Sequence, residues 1–249
     1  MLIDLRPWLV YFEQNAVKPP SIPWHLQVAL TPEERQCIAP SIAAFQLGEY
    51  SEGKGLMQAA QYFSQQHDLP ELPPITRLFI KEEQHHALLL KQFMDRHQMP
   101  LLKNNWTDGL FRKLRKNVSY PISITVLVSA EIIALVYYQA LRNSTQSLTL
   151  RAICEKILQD ERAHVAYEAS ILKALGRQTA FPKRVLIQAL HRLLFLGMAL
   201  VVYKEHRRLL QRGGYAFPLF WAAGWTAFDT WFTDQGELER AIPISHTQQ

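Results

Sequence analysis

Glu82-Glu83-Gln84-His85-His86 and Asp160-Glu161-Arg162-Ala163-His164 share one form, an acid followed by Glu-x-x-His, and each stands inside a strongly helical, apolar stretch. Three-residue spacing places a Glu and a His one turn apart on the same helix face, where one metal ion can touch both. One such string arises easily by chance on a wet face. Two of them, separated by another apolar helix with its own central Glu131, are harder to attribute to chance. The flanking residues point them inward. Ile75, Phe79, Glu83, His86, Leu90 and Phe93 follow one another at steps of three and four, so Glu83 and His86 interrupt an apolar stripe. The same walk gives Leu150, Ile153, Ile157, Glu161, His164, Glu168 and Ile171, then Ile124, Val128, Glu131, Leu135 and Tyr138, and finally Ile42, Phe45, Glu49, Glu52, Leu56 and Phe63. Four helices therefore each offer a carboxylate to one interior.

Four glutamates converging in a low-dielectric core repel one another and are costly to desolvate, so they take up protons or bind cations. Two divalent ions would cancel the four charges. The expected ligand set is Glu49, Glu83, His86, Glu131, Glu161 and His164, with one His per metal, Glu83 and Glu161 bridging, and Glu49 and Glu131 more terminal. Dinuclear carboxylate bundles use this set: one Glu from each of two helices and Glu-x-x-His from each of the other two. Alternatives stay open. Glu82 and His85 also stand three apart, and Glu83 with His86 is preferred for the cleaner stripe. Glu52 competes with Glu49 but sits beside Gly53 and Gly55, Glu168 is an extra ligand or a base, and Asp160 and Asp95 are outer partners of ligands or, by default, surface groups. Tyr137, Tyr138 and Tyr167 are read as core with electron relay as the speculative role, Cys154 as apolar packing, and His67, His97, His191 and His206 as structural or exposed, with Glu205-His206 a candidate outer partner.

Around this centre, residues 1–30 hold Pro7, Pro19, Pro20 and Pro23 and read as an irregular arm. Thr31-Pro32-Glu33-Glu34 is a capping box opening a short helix that ends near Pro40. Long helices are expected over 41–67, 74–98, 121–142 and 147–175, with a short basic helix at 107–116. Helices over 182–212, ending at Gly213-Gly214, and 216–232 complete one all-α domain across 1–249, with 41–175 as metal-binding core and 182–235 as additions.

Composition narrows the class. Two distant cysteines, Cys37 and Cys154, form neither a disulfide framework nor a thiolate cage, and the N-terminus lacks a signal core, so a cytoplasmic protein is expected. The net charge of +5 is gathered at Arg112-Lys113-Leu114-Arg115-Lys116 and Lys204-Glu205-His206-Arg207-Arg208, read first as solvated faces and otherwise as docking for something acidic. Aromatics do not interleave with the basic residues, so no nucleic-acid partner is expected. Residues 122–141 and 185–203 are apolar enough for membrane spans, but Glu131, Gln188, His191 and Arg192 are expensive in lipid, so no membrane partner is expected beyond a peripheral contact through 217–232.

Over residues 41–175, by helix order and motif, the chain resembles the ferritin-like di-iron carboxylate superfamily. Glu-Glu-Gln-His-His-Ala-Leu-Leu-Leu (82–90) and Asp-Glu-Arg-Ala-His-Val-Ala-Tyr-Glu (160–168) are most similar to the motif strings of soluble acyl-carrier-protein desaturases and related oxygenases. That resemblance implies a ferritin-like four-helix bundle carrying two Fe ions, with Mn or mixed Mn/Fe as alternatives. It also implies an oxidase or monooxygenase that activates O2 against a C–H or N–H group of a mostly apolar or carrier-bound substrate. Electrons would come from an external ferredoxin or reductase, since no flavin or nicotinamide fingerprint appears, and a homodimer is reasonable. Subfamily marks are absent: Leu90 stands where a radical-subunit tyrosine is expected, Ile157 where an arylamine-oxygenase histidine is expected, and no cysteine pairs serve a rubredoxin iron. The Pro-rich arm and aromatic C-terminal segments disfavour iron storage. The competing readings are a dimanganese or peroxide-handling enzyme, and a non-enzymatic bundle that stores iron or merely buries Glu–His pairs.

Overall fold

The computed structural model describes residues 3–18, 20–26, 29–50, 53–106, 109, 113–114 and 118–233. Glu52, most of the 107–116 segment with its basic cluster, and residues 234–249 lie outside the described residues. Among the described residues the chain is all-helical with no strand. The helices are α1 (Arg6–Ala16), α2 (Pro32–Glu49), α3 (Lys54–His67), α4 (Leu72–Arg96), α5 (Tyr120–Asn143), α6 (Leu148–Arg177), α7 (Phe181–Arg212) and α8 (Phe217–Thr233).

Three elements differ from the expectation. The N-terminal arm contains a helix, α1, because Pro7 occupies its first turn, where no intrahelical N–H is needed, and the other prolines follow its end. Trp8 and Phe12, one turn apart, are buried against the body. The helix opened by the Thr31/Glu34 capping box does not stop at Pro40 but continues to Glu49. Pro40 cannot donate to the carbonyl of Gln36, yet the fully buried Ile38 and Ile42 on either side hold the helix together. Conversely, the single helix expected over 41–67 is two, broken between Glu49 and Lys54.

The order of apolar residues gives the helix directions. One buried cluster contains Ile38 and Ile42 of α2, Leu90 and Phe93 of α4, Tyr137 and Tyr138 of α5, and Ile153 and Ile157 of α6. The other contains Leu56 and Phe63 of α3, Ile75 and Phe79 of α4, Tyr120 and Ile124 of α5, and Ala166 and Ile171 of α6. Thus α2–α3 and α6 run from the first cluster to the second, and α4 and α5 run back. The end of α4 at Arg96 and the start of α5 at Tyr120 therefore lie at opposite ends of these helices. Between the clusters lie Glu49 at the end of α2, Glu83 of α4, Glu131 of α5 and Glu161 of α6.

Helix α5 packs most extensively against α6 and then against α7, so it is surrounded and buried on nearly all sides. Its apolar character follows from that position. At the far end of α7 the backbone presses on α5: a Cβ at Gly213 would lie 2.2 Å from the Ala140 carbonyl oxygen, and Gly214 takes φ +91°. Only glycine fits the first, and glycine is favoured at the second. Gly213-Gly214 thus ends α7, as its sequence indicated.

Candidate metal centre

Glu49 is the last residue of α2, Glu83 and His86 lie mid-α4, Glu131 mid-α5, and Glu161 and His164 mid-α6. The structure brings all six together. They form two overlapping groups, Glu49/Glu83/His86/Glu161 and Glu83/Glu131/Glu161/His164, and within each group the ligand atoms lie within 4.8 Å of one another. Glu83 and Glu161 belong to both. His86 Nδ1 is 3.9 Å from Glu49 Oε2, 3.6 Å from Glu83 Oε1 and 3.7 Å from Glu161 Oε1. His164 Nδ1 is 3.1 Å from Glu83 Oε1 and 3.7 Å from Glu161 Oε2, without hydrogen-bond alignment.

Each imidazole turns its other nitrogen outward, to the acid that opens the opposite motif. His86 Nε2 meets Asp160 Oδ2 at 2.9 Å, and His164 Nε2 meets Glu82 Oε2 at 2.8 Å. Glu82 therefore faces His164 and stands in neither group, and His85 is exposed. Asp160 is buried at 2% exposure and not a surface group, whereas Asp95 is exposed and pairs with Lys91. Asn15 of α1 donates its amide to both outer carboxylates, at 2.7 Å to Glu82 Oε1 and 3.0 Å to Asp160 Oδ1. Lys156 Nζ adds a 2.6 Å bond to Asp160 Oδ1. An N–H on Nε2 facing a carboxylate leaves the Nδ1 lone pair for the interior. Asn15 and Lys156 were missed from sequence. Lys156 stands four residues before Asp160, a visible pairing, but nothing marked Asn15.

Among the described residues, seven buried side-chain atoms lack a hydrogen-bond partner: Glu83 Oε1, His86 Nδ1, both carboxylate oxygens of Glu131, Glu161 Oε2, His164 Nδ1 and Glu168 Oε2. Orphaned buried polar atoms are rare. Here six of them belong to the two groups, and a Glu/His donor set suits a hard or borderline divalent cation. The residues thus fit a metal ion.

The electrostatics of the protein alone agree. Burial, then the charges of Glu83 and Glu161, raise the Glu49 carboxyl well above the usual range. Burial and Glu168 do the same to Glu131, and burial and Glu83 raise Glu161. Burial also pushes Glu83 up, but His164 and His86 outweigh it and hold Glu83 low. Burial opposes charge on both imidazoles, yet the surrounding carboxylates raise both, led by Asp160 at His86 and by Glu161 and Glu82 at His164. Glu168, fully buried beside Glu131, is likewise raised by burial. It belongs to neither group.

A cavity of ≈ 130 Å³ borders Glu49, Glu83, Glu131 and Glu161 and is otherwise walled mainly by apolar side chains, among them Phe45, Val126, Ile133, Met198 and Val202. His206 is part of that wall, buried and bonded to Ser41 Oγ at 2.8 Å; Glu205 instead accepts from Trp106 at 3.1 Å. Tyr138 donates to Glu49 Oε1 at 2.5 Å, and Tyr137 stacks on Phe45 and bonds Ser41, so both are tied into the wall. His191 is buried against Ser129, and Cys154 is buried in apolar surroundings. Comparison with family models, curated proteins and solved structures finds no match.

Proposed function

We infer that the protein is a ferritin-like dinuclear-iron oxidase or monooxygenase that uses O2 to oxidise a mostly apolar substrate. The observation that carries this reading is the sharing of Glu83 and Glu161 by both four-residue groups, because two carboxylates common to two donor sets are what a bridged pair of ions needs. Helix direction supports it: α2–α3 with α4, and α5 with α6, are two antiparallel pairs, and a long connection between two such pairs is the crossover of a ferritin-like bundle.

Glu49 and His86 would hold one ion, Glu131 and His164 the other, with Glu83 and Glu161 between them. Two ferrous ions bound there would supply O2 binding and its reduction. Asp160 and Glu82 fix the tautomer of the two imidazoles, so both Nδ1 lone pairs stay aimed inward. Tyr138 holds one Glu49 oxygen in place. The apolar wall gives substrate an apolar surface beside the carboxylates. An engineered apolar cavity of about 150 Å³ accepts benzene, so the ≈ 130 Å³ space takes a ring-sized part of a larger molecule. A monooxygenase balance, RH + O2 + two electrons + two protons giving ROH + H2O, requires an external ferredoxin or reductase as electron donor.

The test is anaerobic loading with Fe(II), removal of excess metal, and exposure to O2 with a chemical reductant. Retention of about two irons per chain with O2 uptake that vanishes in Glu161→Ala is expected. No retained iron, or iron without O2 uptake, overturns the reading. Retained manganese with peroxide turnover replaces it with the dimanganese alternative.

A further inference from the structure

We propose that the N-terminal half of α7 is a membrane-docking element that rests in the interface of a bilayer containing anionic lipids. Among the described residues two helices are long and apolar enough to cross a membrane, and they differ in burial: 72% of the most apolar window of α5 is buried, but only 28% of that of α7. The bundle accounts for α5. It leaves α7 exposed, with no buried residue from Phe181 to Leu190. Val185, Leu186 and Ile187 are consecutive and 47%, 59% and 47% exposed, so apolar surface points to more than one side of the helix. Leu190 and Leu193 extend it at 56% and 63%. Exposed apolar surface of this extent marks an interaction site.

Charge selects the occupant. From residue 169 to residue 204 there is no Asp or Glu, while Arg177, Lys183, Arg184 and Arg192 are spread along the stretch. The adjoining groove between α7 and α6, ≈ 940 Å³, has no acidic residue in its lining and has Arg177, Lys183 and Arg184 among it. A second copy meeting this surface about a two-fold axis would set these cations against themselves. A small ligand in the groove would cover one side of the helix and leave the other in water. A bilayer interface bearing anionic headgroups satisfies both: apolar side chains enter the acyl boundary, and Lys and Arg reach back to the phosphates.

A full span is excluded by the same helix. Gln188, His191 and Arg192 interrupt it, and beyond them Phe195, Met198, Val202 and Leu209 are buried in the protein core. The polar residues that argued from sequence against a membrane partner rule out crossing but not lying at the surface.

The experiment is flotation of the full chain with phosphatidylcholine vesicles, with and without about 30 mol% phosphatidylglycerol. Two double variants, L186E/L190E and K183E/R184E, are compared, with circular dichroism and Fe(II) retention verifying that each remains folded. Expected are flotation with the anionic vesicles, weakening with salt, and a roughly tenfold or greater drop in partition coefficient for each variant. No flotation, equal flotation with neutral vesicles, or flotation unchanged in the variants overturns the proposal. So does a stable dimer by sedimentation equilibrium that L186E/L190E dissociates while vesicle binding is absent, since the surface then belongs to a second copy.

Discussion

Asp160 and Glu82 carry more of the site than their place in the sequence advertises. Each accepts from the imidazole of the opposite motif, so each Glu-x-x-His string is oriented by the acid of the other. Removing such outer acceptors ordinarily costs ten- to a hundredfold in metal affinity. Asp160→Asn and Glu82→Gln are therefore expected to weaken Fe(II) binding by about that range in chelator competition, with both ions still bound at saturation. Glu83→Ala and Glu161→Ala should instead lose both ions, and Glu49→Ala about one, because only the first two residues belong to both groups. Unchanged affinity in Asp160→Asn would remove the bracing role. Protons follow the same logic. Burial raises Glu49, Glu131 and Glu161, and neighbouring carboxylates raise His86 and His164, so the metal-free site holds protons that each ion must displace. Affinity is expected to fall as pH is lowered from about 7.5 to 6, within the usual range of histidine titration, with the same chelator competition as readout.

At the scale of elements, the ligand helices were legible because burial and chemistry share one period. Stripes at steps of three and four place Glu83, His86, Glu131, Glu161 and His164 inward, and two Glu-x-x-His strings limit what such an interior can be. What was illegible depended on tertiary packing. Pro40 reads locally as a stop, but Ile38 and Ile42 bury completely around it and carry the helix through. The break after Glu49 was hinted at by Gly53 and Gly55 without a place for it. Helix α1 was hidden among prolines, and its Asn15 reaches residues 67 and 145 positions away, a separation no local pattern encodes. Asn15→Ala leaves two buried carboxylates short of a donor, a loss of about 1–3 kcal/mol. Urea unfolding should show it, and a change under a few tenths of a kcal/mol would mean that α1 docks through Trp8 and Phe12 alone.

For the molecule as a whole, acid sensitivity has a source outside the candidate metal centre. His191 and His206 are both lowered to about 4 by burial, against an ordinary 6.5. Each is neutral when folded and becomes protonated when unfolded once the pH drops below about 6.5, so the unfolded chain binds more protons and is favoured. Their contribution is fully present above the unfolded value and is lost progressively as pH falls toward 4. From pH 7 to 5 the loss is about 2 kcal/mol per histidine, a sizeable share of an ordinary domain's total stability. Glutamine can keep a hydrogen bond to Ser129 or Ser41 without titrating. In His191→Gln/His206→Gln the fall in urea-unfolding free energy between pH 7 and pH 5 should therefore shrink relative to the parent, whatever the double substitution costs at neutral pH. The carboxylates and imidazoles of the metal centre are present in both proteins and cancel from that difference. Equal acid sensitivity in the two would mean that water reaches these rings in the folded state, and that the packing of α7 around His206 beside the cavity and His191 beside the groove is looser than their burial indicates.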